Sequence, residues 1–192
     1  MMRLWSPIVI VLSLLGCSLV PPVQIPDPSY AGQSAIVSDI DGTLTPALPS
    51  VYEVRPDAAQ ALRALSDKGY SIIYVTTRIP LFQSGLPHWL QDKGFPEGSL
   101  HVAQSSAERS DPEAFKANLL KEYVKRGWTL EYAFGDSSSD FAAYSEAGIP
   151  IERVYALKRR GSEDCLEGAY ARCLDGWTEY LPYIDNEVAR KN

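Results

Sequence analysis

The sequence predicts an α/β fold in which a central parallel sheet is covered by helices on both faces. After residue 34, short β-branched or aromatic runs alternate with longer amphipathic segments, which is the pattern of successive βαβ units. Polar residues follow several of these runs, as expected at the ligand-binding edge of a parallel sheet. The 192 residues are 45% hydrophobic, which suits one globular domain, and the net charge of −6 argues against nucleic acid as a partner.

The strands and helices are predicted in alternation. Strands are expected at residues 35–38, 71–75, 100–102, 130–134 and 153–156. Helices are expected at residues 56–68, 86–93, 111–126 and 140–147. Pro56 and Asp57 indicate the start of the first helix, and the N-cap Asp111 with Pro112 indicates the start of the third. A glycine follows each predicted helix, at positions 69, 94, 127 and 148, where it favours termination.

The first 16 residues are typical of a signal peptide. Arg3 precedes an apolar run at residues 8–15 that is too short to span a bilayer, and Gly16-Cys17 follows it. This segment resembles a bacterial lipoprotein signal. The resemblance implies that the mature chain begins at a lipidated Cys17 and is exported and anchored in the membrane, at the periplasmic side of the outer membrane. An ordinary secretory signal or a short hydrophobic anchor is the alternative.

Residues 17–33 are predicted to be a spacer between this anchor and a domain at residues 34–192. Their four prolines favour extended polyproline geometry. Within the domain, Cys165 and Cys173 form an even pair in what export would make an oxidising compartment, so a disulfide is one reading. On a single helix they would lie about 12 Å apart, so a bridge needs a break in the helix, and two buried free thiols are the alternative.

The polar residues at the strand ends have the chemistry of a phosphoryl-transfer site. Asp39 and Asp41 follow the first strand and point the same way if the chain stays extended. Two carboxylates at so short a distance raise each other's pKa unless a cation lies between them. This arrangement implies a divalent metal. A calcium loop beginning at Asp39 is one alternative, but its twelfth position is Ser50 rather than Glu. A chance cluster in a surface turn is another.

Four ordered motifs resemble those of the haloacid dehalogenase superfamily. They are Asp39-Ile40-Asp41-Gly42-Thr43, then Thr76, then Lys116, and finally Gly135-Asp136-Ser137-Ser138-Ser139-Asp140. The resemblance implies a phosphatase that works through an aspartyl-phosphate, with Asp39 as nucleophile and Asp41 as general acid. It also implies a phosphate-binding set, Thr43, Thr76, Thr77 and Lys116, and an Mg²⁺-binding set, Asp39, Asp41 through its carbonyl, Asp136 and Asp140.

Several of these residues also have simpler interpretations. Thr76 could cap the end of a strand, Lys116 could be a solvated helix charge, and Asp140 could be a helix N-terminal carboxylate without a metal role. His88 and His101 have no partner at ligand spacing and are predicted to be ordinary surface or packing residues. The gaps between the motifs leave no room for a large insertion, so the resemblance implies no cap domain or a minimal one.

Within the superfamily, three stretches resemble the catalytic domain of lipins, the phosphatidate phosphatases, and the similar domain of phosphatidylinositol-transfer proteins. These stretches are residues 38–43, 86–98 and 133–150. Asp136 and its serines depart from an Asn-containing lipin motif, and Thr76-Thr77-Arg78 departs from a Ser-Ala-Arg triplet. The resemblance implies an Mg²⁺-dependent phosphomonoesterase that acts on a membrane phospholipid such as phosphatidate. The alternatives are a periplasmic phosphatase or nucleotidase for soluble esters and a non-catalytic phosphatidate-binding module.

Two further segments are open to a lipid-related interpretation. The basic turn Lys158, Arg159 and Arg160 could pair with anionic headgroups at the mouth of the site, or it could be a solvated surface turn. Four apolar and aromatic residues of the C-terminal tail could contact a lipid interface, although covering a sheet edge or helix face is favoured. They are Trp177, Tyr180, Leu181 and Tyr183.

Overall fold

The computed structural model describes residues 20–46 and 50–191, so the predicted signal peptide and Cys17 lie outside the described residues. Its centre is a six-stranded sheet in which all neighbouring strands are parallel, in the order β3-β2-β1-β4-β5-β6. The strands are β1 Ser34–Asp39, β2 Ser71–Thr76, β3 Gly98–Val102, β4 Thr129–Gly135, β5 Val154–Leu157 and β6 Arg172–Leu174. The predicted α/β architecture with a parallel sheet is therefore confirmed.

Helices cover both faces of the sheet. They are α1 Ala58–Asp67, α2 Leu86–Asp92, α3 Ser106–Ser110, α4 Pro112–Lys125, α5 Ser138–Glu146 and α6 Leu181–Glu187. Successive side chains of β1 point to opposite faces: Ile36 packs with α1, α2 and α6, whereas Val37 packs with α4 and α5. This burial on both sides explains why the central strands are almost continuously apolar. None of the described helices is long and apolar enough to cross a bilayer.

The structure contains three elements that were not predicted: α3, β6 and α6. Each is short, and α3 lacks buried residues, so no hydrophobic period marks it. The C-terminal tail forms much of one core rather than a lipid-facing surface. Trp177 and Tyr180 are completely buried there, and the ring of Trp177 lies 4.7 Å from that of Phe134, centroid to centroid. Leu181 and Tyr183 are partly buried against the same core.

The predicted spacer is wrong over residues 20–33, because the structure shows this segment packed on the domain. We call residues 20–33 the N-terminal strap. Val20 is buried, and its carbonyl accepts a hydrogen bond from the side chain of Gln104, just after β3. Further along, the Trp128 indole donates to the Pro26 carbonyl at 2.8 Å, just before β4. The prolines thus support an extended segment, and the domain binds its carbonyls at Val20, Ile25, Pro26 and Gln33.

Cys165 and Cys173 form a disulfide, with their Cα atoms 5.7 Å apart. Residues 165–171 adopt no helix, and β6 begins at Arg172, which removes the helical separation that would have kept the two thiols apart. The bridged loop packs on α5: Gly168 lies against the ring of Phe141, and the Ser138 hydroxyl donates to the carbonyl of Glu167. The disulfide therefore closes a loop beside the helix that carries Asp140.

We predict that His101 makes stability depend on pH. Burial lowers the pKa of His101 from 6.5 to about 4, while its Nε2 lies 2.7 Å from the Tyr123 hydroxyl. The fold therefore favours the neutral ring, so this contribution is fully present above pH 6.5 and is lost as the pH falls toward 4. We expect the free energy of unfolding in urea to fall by about 2 kcal/mol from this residue between about pH 7.5 and pH 5.

The chain provides its own control for that measurement, since it has two histidines. His88 is exposed and pairs with Asp92 one turn along α2. His101→Gln should remove the part of the pH dependence that comes from this residue, about 2 kcal/mol between about pH 7.5 and pH 5, while retaining a polar group beside Tyr123. His88→Gln should leave that part in place. Equal slopes in the two variants would contradict the assignment.

Candidate active site

The candidate site is a cavity of about 450 Å³ at the carboxyl-terminal edge of the sheet. Its position follows from topology, because β1, β2 and β4 are adjacent and parallel and each delivers polar residues at its end. The lining residues are Asp39, Asp41, Gly42, Thr76, Thr77, Pro112, Lys116, Asp136, Ser137, Ser139, Asp140 and Arg159. Five segments of the chain, at residues 39–42, 76–77, 112–116, 136–140 and 159, therefore meet at one cavity.

Lys116 lies between two carboxylates at the base of the cavity. Its Nζ donates to Asp39 Oδ1 at 2.6 Å and also to Asp140, and all three residues are buried. Burial alone would lower the pKa of Lys116, but Asp140 and Asp39 together raise it, so the ammonium stays charged. The interpretation of Lys116 as a solvated helix charge is therefore wrong. It contributes a fixed positive charge next to Asp39.

Asp39, Asp136 and Asp140 form the cluster that could hold a metal ion. One carboxylate oxygen of each lies within 4.8 Å of the others. Asp39 Oδ2 is buried without any hydrogen-bond partner among the described residues. Burial, followed by the neighbouring charge of Asp140, raises the pKa of Asp136 to about 6, and burial likewise raises the pKa of Asp39. A divalent cation would take the unpartnered oxygen as a ligand and would favour the ionised forms of the three carboxylates. An oxygen-rich Mg²⁺ site therefore fits these residues.

Asp140 has a structural role in addition to its position in this cluster. It is the third residue of α5, and its Oδ2 accepts bonds from the Ser137 hydroxyl and from the backbone N–H groups of Asp136 and Ser137. Ser137 in turn caps the helix through the N–H of Asp140, which completes a capping box. Asp140 thus holds the turn that carries Asp136 while its other oxygen faces Lys116. Asp140 is therefore both a carboxylate at the N-terminus of α5 and a residue that lines the cavity.

Asp41 is held at the side of the cavity by Thr76, the last residue of β2, and by Arg78, which follows it. Arg78 binds it in a bidentate ion pair, from Nη2 to Oδ1 at 2.7 Å and from Nε to Oδ2 at 3.2 Å. The Thr76 hydroxyl donates to Asp41 Oδ2 at 2.6 Å. Thr76 was predicted to bind phosphate, but its proton is used in orienting Asp41. The Asp41 carboxylate is not a member of the three-aspartate cluster.

The turn after β1 is compact because Gly42 and Arg55 hold it. Gly42 has φ +93°, and a Cβ there would lie 2.0 Å from the Asp136 carboxylate, so only glycine leaves room for that side chain. The buried guanidinium of Arg55 donates to the carbonyls of Gly42, Thr45 and Lys158. Arg55 therefore joins the turn after β1 to the turn after β5.

The remaining predicted residues have different positions. Thr77 lines the cavity, but Thr43 does not: its side chain is completely buried and its hydroxyl has no partner among the described residues. Thr43 was predicted to bind phosphate, and in this structure it is not among the residues that line the cavity. Its carbonyl accepts the indole N–H of Trp177 instead.

Each residue of the basic turn after β5 pairs with a carboxylate. Arg159 lines the cavity and pairs with Asp136, whereas Lys158 pairs with Asp175 and Arg160 with Glu53. Sequence reasoning missed the roles of Arg55 and Arg78 altogether. A buried arginine carries no periodic signal, and only the position of Arg78 two residues after Thr76 could have indicated that it faces the same edge.

Comparison with known proteins identifies the family. The model of the PITM 1-3 LNS2 domain matches residues 36–158, which span β1 to the turn after β5. The chain belongs to the LNS2 domain family. This LNS2 domain includes every residue of the cavity except Arg159, and the predicted similarity to lipins and phosphatidylinositol-transfer proteins is confirmed.

Curated relatives of this LNS2 domain are lipid-related proteins. Membrane-associated phosphatidylinositol transfer protein 2 of Homo sapiens is 30% identical over 156 residues, covering 80% of this chain and 11% of that protein. Phosphatidate phosphatase LPIN2 of Homo sapiens is 27% identical over 151 residues, covering 66% of this chain and 17% of that protein. The chain thus spans less than a fifth of the length of these relatives.

Similarity to solved structures supports the fold alone. A chain of the Pnkp1/Rnl/Hen1 complex superposes with a TM-score of 0.56 at 15% identity, covering 72% of this chain and 50% of that chain. DsGPDH of Dunaliella salina superposes with a TM-score of 0.53 at 14% identity, covering 78% of this chain and 28% of that one. The fold is α/β with a central parallel sheet. No cap domain is inserted within residues 20–46 and 50–191.

Proposed function

We propose that this protein is an Mg²⁺-dependent phosphomonoesterase that acts through an aspartyl-phosphate on a membrane phospholipid such as phosphatidate. The observation that carries the proposal is the convergence of Asp39, Asp136 and Lys116 at one cavity, with Asp39 Oδ2 left without a partner. The proposal includes export and a lipid anchor at Cys17, which would bring the site to its substrate.

Asp39 is the proposed nucleophile. Its carboxylate attacks phosphorus, the bond between phosphorus and the ester oxygen breaks, and a phosphate becomes linked to Asp39. A carboxylate can approach an anionic phosphate only if positive charge offsets their repulsion, and Lys116 supplies one such charge at 2.6 Å from Asp39. Mg²⁺ held by Asp39, Asp136 and Asp140 would supply the other when bound.

Asp41 is the proposed proton donor and acceptor. It gives a proton to the leaving ester oxygen in the first step and takes one from water in the second, when that water attacks phosphorus and releases inorganic phosphate from Asp39. Arg78 and Thr76 fix the Asp41 carboxylate at the side of the cavity, so its direction is set before the substrate arrives. Arg78 is therefore a positioning residue.

Two features favour a lipid substrate over a small soluble one. The cavity lies at an open edge of the sheet, and no inserted domain in the described residues encloses it, so a phosphate on a bulky group can enter. One relative is named a phosphatidate phosphatase and others are named membrane-associated phosphatidylinositol transfer proteins. The bulk of a diacylglycerol could remain outside the cavity while the phosphate reaches Asp39.

The test is release of inorganic phosphate from phosphatidate in mixed micelles, compared with release from a nucleotide monophosphate, each with Mg²⁺ and with a chelator. We expect at least tenfold higher turnover of phosphatidate, which the chelator removes. The Asp39→Asn protein, purified in parallel, reports any contaminating phosphatase.

Each alternative gives a different result in this assay. Faster turnover of the nucleotide would indicate a phosphatase for soluble esters. Binding to phosphatidate vesicles without phosphate release in Mg²⁺ would indicate a non-catalytic lipid-binding module. Either result would overturn the proposed reaction or its substrate.

A further inference from the structure

The N-terminal strap runs from one edge of the sheet to the other. It starts at Val20, which Gln104 binds beside the carboxyl end of β3, and it ends at Gln33, whose carbonyl is bound by the N–H of Thr129 at the start of β4. Intermediate contacts fix the path, since Arg126 binds the carbonyl of Ile25 and Gly32 donates to Gly127. The described chain therefore begins at the edge that holds the cavity.

Val20 is also close to the cavity in the sheet itself. The Gln104 side chain bonds both the Val20 carbonyl and the carbonyl of Val102. Val102 pairs with Thr76 in the register of β3 and β2, and Thr76 is the residue that bonds Asp41. Adjacent strands lie about 4.8 Å apart. Two steps, one through Gln104 to β3 and one from β3 to β2, therefore connect Val20 to Thr76 at the site. Whatever precedes Val20 leaves the domain beside the cavity.

An exposed apolar patch occupies the same edge. It consists of Tyr52, Ile79 and Leu81, and we call it the apolar rim. Ile79 is 51% exposed and Leu81 is 65% exposed, directly after Arg78. The side chain of Gln83 ties this turn to the chain beside Val20, because it donates to the carbonyls of Arg78 and Ala103. Tyr52 joins the rim through its hydroxyl, which donates to the carbonyl of Phe82.

We propose that the apolar rim docks on the surface of a phospholipid bilayer, with the cavity opening toward the lipid headgroups. The inference rests on the proposed function, because it takes Cys17 as the acylated residue and a membrane lipid as the substrate. Cys17 is three residues before Val20, and three residues span at most about 10 Å. An anchor at Cys17 therefore keeps the edge bearing Val20, the apolar rim and the cavity against the interface, where exposed Ile and Leu side chains lose contact with water.

The strap makes this orientation specific. A free spacer of 17 residues would let the domain rotate and present any face to the membrane. Because the domain binds the carbonyls of Val20, Ile25 and Pro26, the segment that joins an anchor at Cys17 to the first bound residue is the short one before Val20. The lipid phosphate would then reach Asp39 without the domain having to turn over.

The first experiment places an environment-sensitive fluorophore on each of two edges. Leu81→Cys lies in the apolar rim, and Ile151→Cys is the matched control, since Ile151 is 48% exposed in the turn that precedes β5, at the opposite edge. Each change is made in a separate protein, which is the full lipidated chain carrying Asp39→Asn, so that turnover does not alter the lipids. The protein is reconstituted in phosphatidylcholine vesicles with a quencher-labelled lipid, with and without a minor fraction of phosphatidate.

We expect the fluorophore at position 81 to shift to shorter wavelength and to be quenched several-fold more than the one at position 151, in both vesicle types. Equal quenching at the two positions, or stronger quenching at 151, would overturn the proposed orientation. In that case the rim would be left for a protein partner or a second copy of the chain. This result does not depend on phosphatase activity, so it can fail while the proposed reaction holds.

The second experiment uses turnover. For Ile79→Glu with Leu81→Glu, we expect the ratio of phosphatidate turnover in vesicles to turnover of soluble p-nitrophenyl phosphate to fall at least tenfold. Ile151→Glu should leave the ratio within twofold of the unmodified protein. A ratio that falls equally in both variants would contradict docking through the rim. Loss of both activities in every protein, including the unmodified one, would instead reject the proposed function.

Discussion

Asp39→Asn is expected to remove turnover by at least about a thousandfold while leaving the protein folded. An amide cannot form the covalent phosphate linkage, whereas its size matches the carboxylate that it replaces. The fold should persist because Lys116 keeps its pair with Asp140. The substitution also removes a carboxylate whose charged form is disfavoured by burial, which raises the pKa of Asp39. The measurement is phosphate release together with cooperative thermal unfolding.

A second variant separates the two steps of the proposed reaction. In Asp41→Asn the nucleophile is intact, but the residue that takes a proton from water in the second step is missing. With an activated ester, which needs no proton donor, the phosphate adduct on Asp39 should therefore form and last long enough to be detected by intact-protein mass spectrometry. Asp92→Asn, on the exposed surface of α2, is the control and should retain full turnover. Substantial activity in Asp39→Asn would rule out the covalent route.

Lys116→Met is expected to destabilise the protein by about 3–5 kcal/mol and to remove turnover. Methionine fills a similar volume but leaves Asp39 and Asp140 buried without their common cation. The matched control lies five residues along the same helix: Lys121 is half exposed and pairs with Glu146, so Lys121→Met should change stability by less than about 1 kcal/mol. Urea unfolding in the absence of divalent metal measures both.

A double variant tests the cause of that loss. If unpaired carboxylates destabilise Lys116→Met, adding Asp39→Asn removes one of them and should recover part of the stability. If the double variant is as unstable as the sum of its single changes, the loss comes from packing around residue 116 instead. The comparison therefore distinguishes charge from shape.

Much of the sheet could be predicted because its strands are buried on both faces and read as apolar runs. The positions of Asp39, Thr76 and Asp136 followed from that sheet, since parallel strands deliver their carboxyl ends to one edge. Lys116 was predictable as well, because Asp111 and Pro112 fixed where its helix begins.

The strap and the C-terminal tail could not be predicted for a common physical reason. Their stability comes from contacts with residues far away in sequence, such as Trp128 with Pro26 and Phe134 with Trp177. Neither segment has a periodic pattern of its own, so composition suggested a free spacer, and the packing that was favoured for the tail could not be assigned to particular partners. The ion pair between Asp41 and Arg78 was hidden as well, because only the position of Arg78 two residues after Thr76 indicates that it faces the same edge.

Arg55 has a consequence for any attempt to change which molecules the protein accepts. Its guanidinium fastens the turn bearing Gly42 to the turn bearing Lys158, so these two walls form one mechanical unit. A redesign that widens one wall alone will strain the other, and the pair has to be remodelled together. Two turns more than 100 residues apart in the chain are thus coupled through one side chain.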